Sequence, residues 1–184
     1  QEHFLTQKAT GKIETKNCLF FSDGGVFCRK VRQALIDEGK HVIEVKMGVT
    51  FEELTNEQIQ IDPQDLTHFQ QLAATLTQRD FDPQQFLYAW GLEAQQTSEP
   101  ETYRTFLLHF NCIRSILEGF QLWGGTTKEK FVLFHHQMAS VISNEQNNDL
   151  REFENVLLKV LSQENPLLFT SSIDLDVNQP HTRL

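Results

Sequence analysis

Apolar positions along this chain follow two rhythms, one with a period near two and one near three and a half. Cys18-Leu19-Phe20-Phe21 is a continuous apolar run, the pattern of a strand buried on both faces. It ends in Ser22-Asp23-Gly24-Gly25. Val26, Val31, Ala34 and Leu35 then predict a helix from Val26 to Glu38, with Gly39 placed for a left-handed C-terminal cap. His41–Lys46 alternates by two and predicts a second strand. Met47–Glu57 reads as a loop with a marginal helical turn at Phe51–Leu54, and Ile59-Gln60-Ile61 as a short third strand. Asp62-Pro63-Gln64-Asp65 predicts a helix start, with Asp at the N-cap and Pro first inside. Leu66, Phe69, Leu72, Ala73 and Leu76 are its inward positions.

Phe86–Trp90 predicts a fourth strand, followed by a polar loop over 91–99. A long helix is expected from Pro100 to Phe120, with Phe106, Phe110, Ile113 and Leu117 as core and Tyr103 and Leu107 alongside. Past Gly124-Gly125, Phe131–Phe134 predicts a fifth strand. Asp149 caps a helix to Gln163, with Phe153, Val156, Leu157, Val160 and Leu161 inward. Pro166 stops it, and Ile173-Asp174-Leu175 supplies a last strand.

Strands thus alternate with helices and no hairpin signal appears. Crossovers of this length return the chain parallel to its predecessor. The expected fold is α/β: a single Rossmann-like domain with a mostly parallel sheet and helices on both faces. Residues 1–17 read as a linker or an N-terminal edge segment around Phe4–Leu5, 18–176 as the domain, and 177–184 as a tail. A chain of 184 residues suits one domain with a sizeable core.

A net charge of -9 argues against a nucleic-acid groove or an anionic membrane surface as the main partner. Cys18, Cys28 and Cys112 are odd in number and form no C-x-x-C, so neither a disulfide framework nor a zinc site is indicated. Buried thiols in a reducing cytoplasm are expected.

Ligands of such folds sit at the carboxyl ends of the strands, so the first turn is the place for chemistry. A dinucleotide turn needs G-x-G-x-x-G: one glycine for the turn, one for close approach of the pyrophosphate, one for helix–strand packing. Aligned on Gly24, the second and third positions are Val26 and Arg29; aligned on Ser22, the first is Ser22 and the third Phe27. Either way the fingerprint fails, and Asp23, Gly24, Gly25 and Val26 form a degenerate loop. A plain tight turn is the reading; a shallow anion site at the Gly24 and Gly25 amides, with Lys46 at the end of strand two, is the competing one.

The other signatures are missing too. A short-chain reductase needs Tyr-x-x-x-Lys, but Tyr88 is followed four on by Leu92 and Tyr103 by Leu107. There is no G-x-S-x-G and no Walker lysine. A phosphorylatable receiver would cluster acids such as Asp23 and Asp62 and carry a lysine after strand five, where this chain has His135-His136. Neighbouring residues on a strand point to opposite faces, so that histidine pair does not chelate one metal. No catalytic, metal or cofactor site is therefore assigned.

In order and spacing, several segments resemble the structural, N-terminal subdomain of a modular polyketide synthase ketoreductase. These are Cys18–Val26, Leu35–Lys40, Ile61–Phe69, Phe86–Leu92, and the end from Leu157 through Pro166 to Asp176. The resemblance covers about residues 18–176. One departure is Cys18, where that family usually starts its first strand with tryptophan. The resemblance implies a truncated Rossmann-like fold that has lost cofactor binding and is not an enzyme by itself. Its partners would be a catalytic ketoreductase subdomain, which binds NADPH, and neighbouring synthase domains, in some synthases an inserted methyltransferase. The charge and the thiols, as above, lead to the expectation of no nucleic acid, no membrane and a cytoplasmic setting. The alternative function is a divergent NAD(P)-dependent short-chain-type reductase.

Overall fold

The computed structural model describes residues 16–90, 92, 99–121, 128–136 and 149–175. Of the expected linker at 1–17, residues 1–15 lie outside the described residues, as does the tail at 177–184, while Asn17 opens the first strand. The elements are β1 (Asn17–Phe21), α1 (Val26–Asp37), β2 (His41–Met47), β3 (Glu52–Thr55), β4 (Gln58–Ile61), α2 (Thr67–Gln78), β5 (Gln85–Tyr88), α3 (Glu99–Gly119), β6 (Glu129–His136), α4 (Asp149–Glu164) and β7 (Leu168–Leu175). They build one seven-stranded sheet in the order β3-β4-β2-β1-β5-β6-β7. Every neighbouring pair is parallel except β3 with β4. The α/β, Rossmann-like expectation holds.

Strand β1 lies at the centre and is buried along Cys18–Phe21, as its unbroken apolar run requires. Alternation sends its side chains into two separate cores. Leu19 and Phe21 join Ile43, Val45, Ile59, Ile61, Phe86 and Tyr88 on the face covered by α2, α3 and α4. Cys18 and Phe20 join Val42, Leu87, Val132 and Phe134 on the other face, under Cys28 and Leu35 of α1. Among the described residues, helices therefore cover both faces, three on one side and one on the other.

On the α1 face, β2 presents Glu44 and Lys46 beside Val42, and β4 presents Gln58 and Gln60, in alternation with Val45, Ile59 and Ile61 of the opposite core. Gln58 Nε2 donates to the Glu44 carboxylate at 2.9 Å, and Lys46 Nζ lies 3.7 Å from it. Arg32 of α1 also approaches the buried Glu44 carboxylate, at 4.0 Å.

Three expectations need correcting. The Phe51–Leu54 stretch is not a helical turn: Glu52–Thr55 is an edge strand, joined to β4 in a hairpin whose register shifts between Glu53 and Thr55. Helix α2 begins at Thr67, not at Asp62. Asp65 instead accepts from the Thr67 N–H at 2.9 Å and its hydroxyl at 2.7 Å, bonds that hold its carboxyl below the usual range. On α1, Val26 is 63% exposed and Ala34 faces solvent, while Cys28, Val31 and Leu35 point inward. The Gly39 cap is as expected: its φ is +79°, its N–H donates to Ile36 O at 2.8 Å, and Lys40 N–H to Leu35 O at 3.0 Å.

Candidate functional site

The strand order reverses at β1. The chain runs outward from it through α1 to β2, and β5 packs on its other side. The crevice beyond the carboxyl ends of β1 and β5 is thus the place where this architecture holds ligands. It is framed by the Ser22–Val26 turn and by Ala89-Trp90, whose Ala89 N–H is bonded to Phe21 O at 2.8 Å.

The turn closes on itself. Ser22 is buried, anchored by its N–H to Val45 O at 3.0 Å, and its Oγ accepts from the Gly24 N–H at 3.0 Å. Asp23 Oδ1 accepts from the Gly25 N–H at 2.7 Å. These are the two amides that an anion would need. The Arg29 guanidinium folds back to donate to Gly24 O. Gly24 has φ +78°, which explains a glycine there, and Gly25 at φ -61° is the α1 N-cap. Val26 then projects an apolar side chain into solvent at the mouth.

Below the turn, aromatic rings fill the crevice. Trp90 is 2% exposed; its Nε1–H donates to Val45 O at 3.1 Å, and its ring meets Phe21 edge-on at 5.1 Å. Tyr88 Oη and His109 Nδ1 lie 2.6 Å apart, both buried, with α3 supplying the histidine.

The other candidate residues are not gathered here. Lys46 is turned to Glu44 on the α1 face. Asp62 follows β4, with β2 between it and β1, so it stands about 10 Å from the Asp23 strand. Its Oδ1 accepts from the Gln64 N–H at 2.9 Å. His135 and His136 are consecutive positions at the end of β6. Among the described residues no group of three His, Cys, Asp or Glu is arranged for a metal ion. The three thiols are buried, and burial pushes each up to about 12. No described helix is long and apolar enough to cross a membrane.

One outer surface departs from the helical periodicity. Val156 and Val160 of α4 are 53% and 44% exposed rather than inward, and Tyr103 and Leu107 of α3 are exposed as well. Phe106 and Phe110 are only half-buried. The α3 residues that reach the core are Cys112, Ile113, Ile116 and Leu117, set back from that line. The helices α3 and α4, which touch each other, thus each carry exposed apolar side chains. The excess of apolar positions over what one helix face can bury was the available signal.

The model of the family described as "Beta-ketoacyl synthase-like, N-terminal" matches residues 16–183. The chain belongs to that family. Among solved structures, it superposes on an adenylation, ketoreductase and pseudo-Asub multidomain structure of a keto acid-selecting NRPS module, with TM-score 0.77 and 12% identity. The match covers 91% of this chain and 14% of that one. An N-terminal ketoreductase from the macrolactin assembly line matches with TM-score 0.70 and 14% identity, over 91% of this chain and 34% of that one. A short-chain dehydrogenase/reductase from Serratia marcescens matches with TM-score 0.65 and 9% identity, over 87% and 78% of the two chains. At these identities the likeness is one of fold. This chain spans only 14% and 34% of the first two structures' length. No curated protein matches. With the family match, these folds bear out the resemblance to the structural subdomain of a polyketide synthase ketoreductase.

Proposed function

We propose that this chain is a non-catalytic structural subdomain of a polyketide synthase module, which packs on and stabilises a catalytic ketoreductase subdomain. The observation that carries the reading is the turn after β1, whose Gly24 and Gly25 amides are bonded by Ser22 and Asp23 of the turn itself. A phosphate arriving there would have to displace two hydrogen bonds and face the Asp23 carboxylate. Trp90 filling the crevice points the same way. The loop Asp23–Val26 then has a structural role, turning β1 into α1, and the chain binds no cofactor of its own. The exposed apolar side chains Tyr103 and Leu107 of α3 and Val156 and Val160 of α4 are where we assign the partner, since large exposed apolar groups on helices that touch each other suit an interaction site. Neighbouring synthase domains would flank the pair, in the reducing cytoplasm that buried free thiols suit.

The test is a titration of the chain with NADPH, followed by its fluorescence. No saturable binding is expected. Micromolar binding that disappears in Gly24→Val would overturn the scaffold reading in favour of a divergent reductase. In parallel, the chain is mixed with a catalytic ketoreductase half. A complex on a sizing column and a raised melting temperature are expected, and both are lost in Leu107→Lys/Val160→Lys. Unchanged melting in the mixture counts against the assigned partner.

A further inference from the structure

Where β4 gives way to α2, a histidine side chain takes over from the backbone ladder. The Asp62 N–H donates to His68 Nδ1 at 3.0 Å. A peptide N–H cannot accept, so Nδ1 is the bare nitrogen of the ring, and the neutral ring carries its hydrogen on Nε2. Nε2 in turn lies 3.6 Å from Asp65 Oδ2, and the Phe51 ring meets the imidazole at 5.9 Å and 63°. One half-buried side chain thus gathers the residue before β3, the residue after β4 and the first turn of α2.

The two polar partners ask opposite things of that ring. The Asp62 N–H needs a lone pair on Nδ1, which the neutral ring has and the charged ring lacks. The Asp65 carboxylate favours the charged ring, as a nearby opposite charge does. Asp65 is held ionised by its bonds from the Thr67 N–H and hydroxyl. Among the described residues it is the one group within ion-pair distance of the ring. The Asp62 carboxylate accepts from the Gln64 N–H at 2.9 Å, Phe51 brings no charge, and Glu52 beside it is exposed.

We propose that His68 is a proton-operated latch on the β4–α2 junction. The neutral ring closes it by accepting from Asp62. Protonation adds a second N–H, at Nδ1, which then faces the Asp62 N–H donor to donor. A half-turn of the ring brings a C–H to the same place, so the charged ring has no orientation that restores the acceptor. It is then held by Asp65 alone, and the backbone at Asp62 is released from it. Both sides of the junction keep their own anchors. The Gly48 N–H donates to Ile61 O at 2.8 Å on the strand side, and Asp65 stays bonded to Thr67 on the helix side. The opening is therefore confined to residues 62–66. The device is separate from the Ser22–Val26 turn and from the exposed side chains of α3 and α4, and it stands whether or not the scaffold reading does.

The experiment uses the 184-residue chain, nitrogen-labelled, in solution NMR at about pH 8 and about pH 5, the two sides of the range in which histidine changes charge. At the higher pH the His68 ring should show hydrogen on Nε2 and none on Nδ1. Amide exchange is then measured at both, each rate divided by the intrinsic rate of an unfolded amide at that pH. Protection of the Asp62 N–H should fall by about tenfold at the lower pH, the scale of one hydrogen bond, while the Gly48 N–H keeps its protection. His68→Asn sets a non-titrating acceptor near the place of Nδ1, and with it the Asp62 protection should be the same at both. Hydrogen on Nδ1 at the higher pH overturns the proposal, as does an Asp62 amide equally protected at both. An equal loss in His68→Asn assigns the opening to another titrating group, and an equal loss at Gly48 assigns it to the whole sheet edge; either overturns the latch. Circular dichroism checks the variant's fold. Should His68→Asn fail to fold, the ring spectrum and the wild-type comparison of Asp62 with Gly48 decide the matter alone.

Discussion

Gly24→Ala isolates the conformational demand of the turn from its crowding. The residue sits at φ +78°, and a Cβ built on it meets nothing within 4 Å. The cost is therefore local. Holding an L-residue in the left-handed region costs about 1–2 kcal/mol. The alanine also narrows the unfolded ensemble, which returns about 0.4–1 kcal/mol. The net loss is about 1 kcal/mol, or a fall of about 2–4 °C in melting temperature for a chain of this size. The bonds from the Gly24 and Gly25 N–H groups to Ser22 and Asp23 stay in place, so the loss should appear as a shift in the urea midpoint at constant slope. Gly39→Ala is the matched control: φ is +79° and the space is again open. Both should lose a similar amount, and Asn at either position should recover part of it. A loss at Gly39 with none at Gly24 would refute the left-handed turn in solution. A loss beyond about 3 kcal/mol at either would refute the open space, because backbone preference alone does not reach that far.

Three further outcomes follow from the packing. Leu72→Ala on α2, where the side chain is fully buried, should cost about 2–5 kcal/mol, while Leu66→Ala, 46% exposed just before the helix, stays within about 0.5 kcal/mol in the same urea series. Tyr88→Phe removes the hydroxyl 2.6 Å from His109 Nδ1 and should cost about 1–3 kcal/mol with the fold retained by circular dichroism. The thiols set an alkaline limit: burial holds Cys18, Cys28 and Cys112 protonated, pushed from 9.0 up to about 12. Unfolding releases groups that ionise near 9, so above that pH the unfolded state binds fewer protons and stability falls as pH rises toward 12. Each thiol contributes about 1.4 kcal/mol per pH unit to that fall, and Cys112→Ala should make the decline shallower by that amount in denaturant midpoints taken at rising pH.

The parts of this fold that were legible in the sequence are those whose burial is written along the chain. The continuous run of β1, the alternation of β2 and the α1–Gly39 junction are local patterns with one physical solution each. Strand β3 was illegible for the opposite reason. Glu52, Glu53, Leu54 and Thr55 are all exposed, so no burial pattern marks them, and only pairing with β4 makes them a strand. The start of α2 misled because Asp62-Pro63 satisfies the rules for a helix N-terminus, yet Asp62 gives its carboxylate to Gln64 and its N–H to His68 Nδ1 at 3.0 Å. At the turn, glycine spacing argued against a dinucleotide without structure. That Ser22 and Asp23 would take up the free amides was readable only as a general habit of these residues before glycine. The exposed apolar positions of α3 and α4 were hidden because helical spacing records apolar positions and does not say which of them the core will bury.

The central place of β1 also sets the order in which this chain acquires structure. Its first neighbour, β2, lies close behind it in sequence, but its second, β5, is joined through contacts such as Asn17 with Gln84, 67 residues apart. Until β5 arrives, the most apolar strand of the protein has one edge open and half its core unbuilt. During synthesis at about 5–20 residues per second, that interval lasts several seconds, far longer than a hairpin or a helix takes to form. The β3–β4 hairpin and α1 can form while the ribosome is still extending the chain, and the sheet locks when β5 docks. The slow step in refolding should therefore be that long-range closure, and residues of the β1–β5 seam should be the last to give up their amide protons to solvent.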